Sequence, residues 1–266
     1  MFDVVDSGPI DGEVIVLLHG FPQKASSWSK VAERLNAAGY RTVAPDQRGY
    51  SPGARPRGRR AYRVANLVGD VVALIRQLDA GPVHLVGHDW GAGVGWGVTA
   101  RHPSLVRSWT SISVPHPSAL VRSMFSSSQA RNAWYFGFFQ LPLVPELMLT
   151  RFPEGRDRAL SKHGMDRELL DRVTEEMIRD GALYGGLAYY RAMPFLGWTP
   201  KVRVPTTHVW SDGDTALVRR GADLTARYVR APYELVIMQD VTHWVPDHEP
   251  EALADVILAR ARSVGV

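Results

Sequence analysis

The sequence predicts an α/β domain: a mostly parallel sheet with helices on both faces and an inserted helical cap. Three observations predict it. Short apolar runs alternate with amphipathic helical stretches over the first 115 residues. That rhythm breaks at Pro115, and from there to about Pro200 the pattern is helical and irregular, with no convincing strand. It then resumes to the C-terminal end. Residues 1–115 and 201–266 are therefore assigned to one core, and residues 116–200 to a cap.

Each element has a local reason. Val14 to Leu18 is a continuous apolar run, the mark of a strand buried on both faces. From Ser26 to Ala38, Trp28, Val31, Ala32 and Leu35 fall on one helical face; Ser26 or Ser27 can cap this helix and Gly39 stops it. Arg41 to Pro45 reads as the next strand. Tyr62 to Leu78 is the clearest amphipathic helix, with Val64, Leu67, Val68, Val71, Val72, Ile75 and Leu78 on one stripe. Strands over Val83–Val86 and Val106–Val114 flank a helix over Trp90–His102. Aromatic and large apolar residues crowd Ala133 to Leu149 of the cap. The core resumes with a strand at Thr206–Trp210, a helix over roughly Ala216–Tyr228, a strand at Glu234–Met238 and a last helix from Pro250 to Arg262.

Composition narrows the class. With 266 residues, 45% hydrophobic and 22% charged, the chain resembles an ordinary globular protein with a sizeable core. No apolar run reaches the roughly 18 residues that a membrane span needs. The acidic start, Met1 to Glu13, lacks the basic and apolar regions of a signal peptide, so a cytoplasmic location is expected. The absence of cysteine removes thiol nucleophiles, disulfides and cysteine metal sites. A net charge of +4 is carried mainly by arginine. The densest group, Arg55, Arg57, Arg59, Arg60 and Arg63, reads as a solvated loop. Tyr62 is its single aromatic, and it has no nucleic-acid-binding motif.

The chemistry centres on Asp89. Val83 to Val86 leads into Gly87-His88-Asp89-Trp90-Gly91, a Gly-x-Asp-x-Gly turn followed by a helix rich in small residues. This is the form of a nucleophile elbow, the sharp strand-to-helix bend that exposes a reactive side chain. Gly87 and Gly91 are needed because bulk two residues either side would clash. A serine there would acylate; an aspartate can instead attack an electrophilic sp3 carbon and form an alkyl ester. The alternative reading of Asp89 is a helix N-cap. Downstream come an acid and a histidine in the required order. Asp212 and Asp214 follow a strand in Trp210-Ser211-Asp212-Gly213-Asp214, and His243 lies in the loop before the last helix. The turn His19-Gly20-Phe21-Pro22 can aim the Phe21 N–H at the site, with the Trp90 N–H as second oxyanion donor. His84 and His88 are four apart, but they straddle a strand and a turn, which argues against a metal pair.

His19-Gly20-Phe21-Pro22, Asp46-Gln47-Arg48-Gly49-Tyr50-Ser51, Gly87-His88-Asp89-Trp90-Gly91, the cap and His243-Trp244-Val245-Pro246 together resemble the epoxide hydrolases of the α/β-hydrolase fold. The resemblance runs over roughly residues 4 to 262. It favours Asp214 over Asp212 as the orienting acid, leaving Asp212-Gly213 as a turn pair. It also implies two cap tyrosines that hold and protonate the epoxide oxygen. One is Tyr135, ahead of Phe139-Gln140, and the other is Tyr190, directly before Arg191. An alkoxide is a poor leaving group, and a phenol is an acid suited to assist it at neutral pH. The chain departs from the pattern at Ser211, where glycine is common, and at Thr215-Ala216, where proline is frequent.

The implied substrate is a hydrophobic small-molecule epoxide, hydrolysed by water without metal or organic cofactor. Detoxification, lipid turnover and natural-product biosynthesis are equally compatible roles, and exposed cap aromatics are compatible with a homodimer. Two other readings stay open. A haloalkane dehalogenase shares the acid, base and nucleophile but needs N–H donors for a halide, for which Trp90 and Trp134 are candidates. A fluoroacetate dehalogenase would want arginines soon after the nucleophile, and Trp90 to Val98 holds none. A non-catalytic binding protein on the same fold would usually have lost a member of the set.

Overall fold

The computed structural model describes residues 1–264. Seven strands form one sheet: β1 (Val4–Ser7), β2 (Val14–Leu18), β3 (Arg41–Pro45), β4 (Val83–His88), β5 (Val106–Ile112), β6 (Thr206–Ser211) and β7 (Tyr233–Met238). Their order is β1-β3-β2-β4-β5-β6-β7. All neighbours are parallel except β1, which runs antiparallel to β3 at the edge. The sequence reading missed β1. Its Val4, Val5 and Asp6 are exposed, so neither a buried run nor an alternating face marks it.

The sheet is buried on both sides. Val14, Val16 and Leu18 of β2 join one core cluster with the helices Val64–Leu78 and Trp90–Arg101. Ile15 and Leu17 join a second, with the helices Ser29–Ala37 and Pro250–Arg262. The period-two alternation of strand side chains sends one apolar run into both layers.

Two helix boundaries differ for a physical reason. Neither Ser26 nor Ser27 caps the first helix; Ala25–Trp28 is a 3-10 turn, Ser27 donates to the Lys24 carbonyl, and the α-helix starts at Ser29. Gly39, at φ +93°, follows its end as expected. The helix read from Ala216 is only Arg219–Thr225, followed by a 3-10 turn at Ala226–Tyr228. The Asp214 carboxylate accepts from the Ala216 and Leu217 N–H groups, which holds those residues in a loop. The arginine-rich loop is also less free than its composition implies. Arg55 binds the Tyr50 carbonyl and Asp180, and the Arg59 and Arg60 guanidinium groups lie 5.4 and 5.8 Å from the Phe195 ring centroid.

Between β5 and β6 the chain forms a run of helices from Pro117 to Arg191. Pro117–Met124 packs against Arg219–Thr225. The Leu183–Arg191 helix lies against the turns after β2 and β3, Gly186 beside the Phe21 ring and the Tyr189 hydroxyl donating to the Arg48 carbonyl, and a π-helical turn at Thr174–Arg179 stands between it and the Arg167–Val173 helix. Arg172 pairs with Asp247 and Lys24 with Asp180, tying this part of the insertion to the core. Phe125, Trp134, Phe152 and Trp198 are exposed. Among the described residues no helix is long and apolar enough to cross a membrane.

Candidate active site

Asp89 sits at the bend between β4 and the Trp90–Arg101 helix with φ 50° and ψ −119°, a conformation that L residues rarely adopt. It makes no side-chain cap bond to that helix, so the N-cap reading fails. The bend demands glycine on three sides. A Cβ on Gly87 would lie 2.6 Å from the Gly91 carbonyl carbon, and one on Gly91 would lie 2.1 Å from the Leu18 oxygen. A Cβ on Gly20 would lie 2.3 Å from the Asp89 Cβ. The first turn therefore approaches the elbow backbone to side chain, and this brings the Phe21 N–H to 2.8 Å from Asp89 Oδ1. Trp90, whose N–H is the other donor named above, begins the helix.

His243 stands between the two acids. Its Nδ1 lies 2.7 Å from Asp214 Oδ2, and its Nε2 lies 3.7 Å from Asp89 Oδ2. The Asp214 side chain is fully buried. Its second oxygen is filled by the two loop N–H groups already described, so the carboxylate has one orientation left for the imidazole. Asp212 is exposed and accepts from the Asp240 N–H, a turn contact.

The electrostatics follow from burial and charge. Burial opposes the His243 imidazolium, but the charge and bond of Asp214, with Asp89 behind it, outweigh this and raise its pKa to about 10. Burial likewise opposes the Asp89 carboxylate, and the facing His243 charge and the Phe21 N–H hold its pKa below the usual value. Burial pushes both Tyr135 and Tyr190 above the ordinary phenol value, and the nearby Asp89 charge pushes them further.

The cap tyrosines come together over this centre. Tyr135, in the Trp134–Phe138 helix, and Tyr190, in the Leu183–Arg191 helix, have ring centroids 6.0 Å apart. Tyr190 packs edge-on against Trp90 at 5.1 Å and Phe21 at 5.5 Å. Gln140 donates to the Tyr190 carbonyl at 2.6 Å, and Arg191 pairs with Glu146 of the Val144–Arg151 helix, so the Leu183–Arg191 helix is tied to the segment that follows Tyr135. Phe136 and Phe139 add aromatic walls. Trp134, by contrast, is 65% exposed and packs on Phe138, which removes the second halide donor considered above.

Several supporting residues escaped the sequence reading. Ser211 Oγ donates to the Thr242 carbonyl, so the departure from glycine anchors the histidine loop. Thr215 bonds His163 through its hydroxyl and Asn132 through its carbonyl, linking the acid loop to the cap. His19 accepts from the Gln47 N–H through Nε2 and shapes the first turn, as its position suggested. His84 contacts Ser108 and Glu13, while His88 bonds the His243 carbonyl, so the two rings serve different places. The local signals for these were the unusual Ser211 and Thr215 and the place of His19 in the first turn.

Comparison with known proteins bears on the fold and the family. Residues 13–250 match the family described as alpha/beta hydrolase fold. The AB hydrolase superfamily protein YfhM of Bacillus subtilis (strain 168) is 32% identical over 265 residues, covering 96% of this chain and 92% of that protein. Epoxide hydrolase 3 of Xenopus tropicalis is 33% identical over 271 residues, covering 96% of this chain and 73% of that protein. A solved structure described as one of novel epoxide hydrolases in metagenomes from hot environments aligns with a TM-score of 0.84 at 29% identity, covering 98% of this chain and 94% of that one.

Proposed function

The chain belongs to the alpha/beta hydrolase fold family, and within it we propose an epoxide hydrolase that opens a hydrophobic epoxide to a vicinal diol through an ester on Asp89. The observation that carries this reading is that the Tyr135 and Tyr190 rings lie 6.0 Å apart, Tyr190 rests on Trp90 and on Phe21, whose N–H binds Asp89, and both phenols feel the Asp89 charge. Two phenols near a nucleophile suit a leaving oxygen that must be held and then protonated. The similarity to Epoxide hydrolase 3 supports the same substrate class.

The steps follow from the geometry. Asp89 is ionised, and Oδ1 is engaged by Phe21, so Oδ2 attacks an epoxide carbon. A new C–O bond forms, the ring C–O bond breaks, and the ring oxygen takes a proton from a tyrosine hydroxyl. The product is a hydroxyalkyl ester whose carbonyl oxygen stays on the Phe21 N–H. Esterification also removes the Asp89 charge that helped to raise the His243 pKa. His243 can then give up its proton, which returns to the tyrosinate left by ring opening, and act as base, with Asp214 holding its tautomer. Water gives a proton to His243 and its oxygen adds to the carbonyl carbon, the Phe21 N–H stabilising the oxyanion. Collapse releases the diol, whose departing oxygen takes the remaining proton of the added water, and restores the Asp89 carboxylate with His243 protonated as at the start.

A single turnover in 18O-labelled water tests this sequence with excess enzyme over styrene oxide. The label is expected in Asp89, and the diol is expected to be unlabelled. Label in the diol would indicate direct water attack and sink the covalent route. Bromide release from a bromoalkane, with no diol from any epoxide, would favour the dehalogenase instead.

A further inference from the structure

The geometry points to His88 as a positioning residue: its ring, one position before the nucleophile, pins the His243 main chain to the elbow and so sets the base at its distance from Asp89. We draw this on top of the proposed activity, but the contact is a property of the fold. His88 ends β4 and is 1% exposed. Its Nε2 lies 2.9 Å from the His243 carbonyl oxygen. A carbonyl only accepts, so Nε2 carries the proton and Nδ1 is the unprotonated nitrogen. Nδ1 is buried without a partner.

The rest of the histidine loop is anchored from the opposite side. Ser211 Oγ and the Gly213 N–H hold Thr242 and Val241 to the end of β6. These contacts fix the loop relative to Asp214, not to Asp89. The His88 bond joins it to the nucleophile strand. The His88 and His243 rings also pack at 4.9 Å, and Trp244 lies 6.3 Å from His88. Burial and the adjacent His243 charge push the His88 pKa down to about 4. The ring thus stays a neutral single donor while His243 gains and loses its proton. A second cation at this position would repel the His243 imidazolium.

The test is step-specific and has a readout that does not need substrate. In wild-type protein the His243 Nδ1–H held by Asp214 should give a low-field proton resonance, identified by its loss in His243→Gln. His88→Gln, which keeps an N–H donor, should retain it; His88→Ala should lose it through exchange. With styrene oxide, His88→Ala should hydrolyse the Asp89 ester at least about tenfold more slowly while alkylation changes little, because a base displaced by an ångström loses efficiency steeply. His88→Gln should restore ester hydrolysis. If His88→Ala does not fold, His88→Met fills similar volume without a donor and takes its place. An unchanged resonance and unchanged ester hydrolysis in the donor-less variant would overturn the proposal. Equal loss in His88→Gln would do so too. A wild type that opens no epoxide would sink the proposed activity while leaving the resonance test intact.

Discussion

His243 and Asp214 are joined by a 2.7 Å bond between Nδ1 and a carboxylate whose side chain has no exposure to solvent. This pair orients the base and also stores its proton, since the His243 pKa stands near 10. A folded-state value above the unfolded value of about 6.5 means that the native state binds the proton more tightly. The associated stability is fully present below pH 6.5 and is lost as pH rises through 10. Melting temperatures of wild type and His243→Gln from pH 6 to 10.5 should therefore converge at the alkaline end. A constant gap across that range would show that the imidazolium contributes no such linkage.

Asp214→Asn should lower turnover by roughly 10²–10⁴-fold, the usual range for loss of general-base assistance. The ester should accumulate, because alkylation by Asp89 does not use the base. Asp212→Asn should leave turnover near wild type, since Asp212 is exposed and serves a turn. Steady-state rates with intact-mass measurement of the adduct check both variants together.

Tyr190→Phe and Tyr135→Phe should each slow ring opening by about 10- to 100-fold, with ester hydrolysis nearly unchanged. The double variant should lose more than either single one, because two hydroxyls share one oxygen. Stopped-flow alkylation against single-turnover ester hydrolysis separates the steps. Equal loss in both steps would remove the acid role.

Gly20→Ala should abolish alkylation while leaving the sheet intact. The new methyl would sit 2.3 Å from the Asp89 Cβ, and either the nucleophile or the turn carrying Phe21 must move. A loss of order 100-fold or more in adduct formation is expected from a displacement of that size. Far-ultraviolet circular dichroism unchanged from wild type would confirm that the loss is local.

How much of this was legible beforehand depended on whether the signal was local. The runs Val14–Leu18 and Val83–Val86 were readable as buried strands, and the Gly-x-Asp-x-Gly turn was readable as a bend with a carboxylate at its apex. β1 was invisible because an exposed edge strand buries no face. The helix beginning at Arg219 was read three residues too early, because the competing acceptor is Asp214, a side chain already committed to His243. Trp134 was weighed as a second halide donor because an indole N–H can serve a halide, and its position in the cap leaves it 65% exposed.

By itself the sequence determined the layered α/β architecture and the order of nucleophile, acid and histidine. Those depend on periodicity and on turn residues within a few positions of one another. Only the tertiary structure decided that Asp214 and not Asp212 meets His243, that Tyr135 and Tyr190 share one site, and that His88 holds the base loop to the elbow. Each of those is a distance between residues tens of positions apart, set by how the strands order and how the inserted helices pack across their ends.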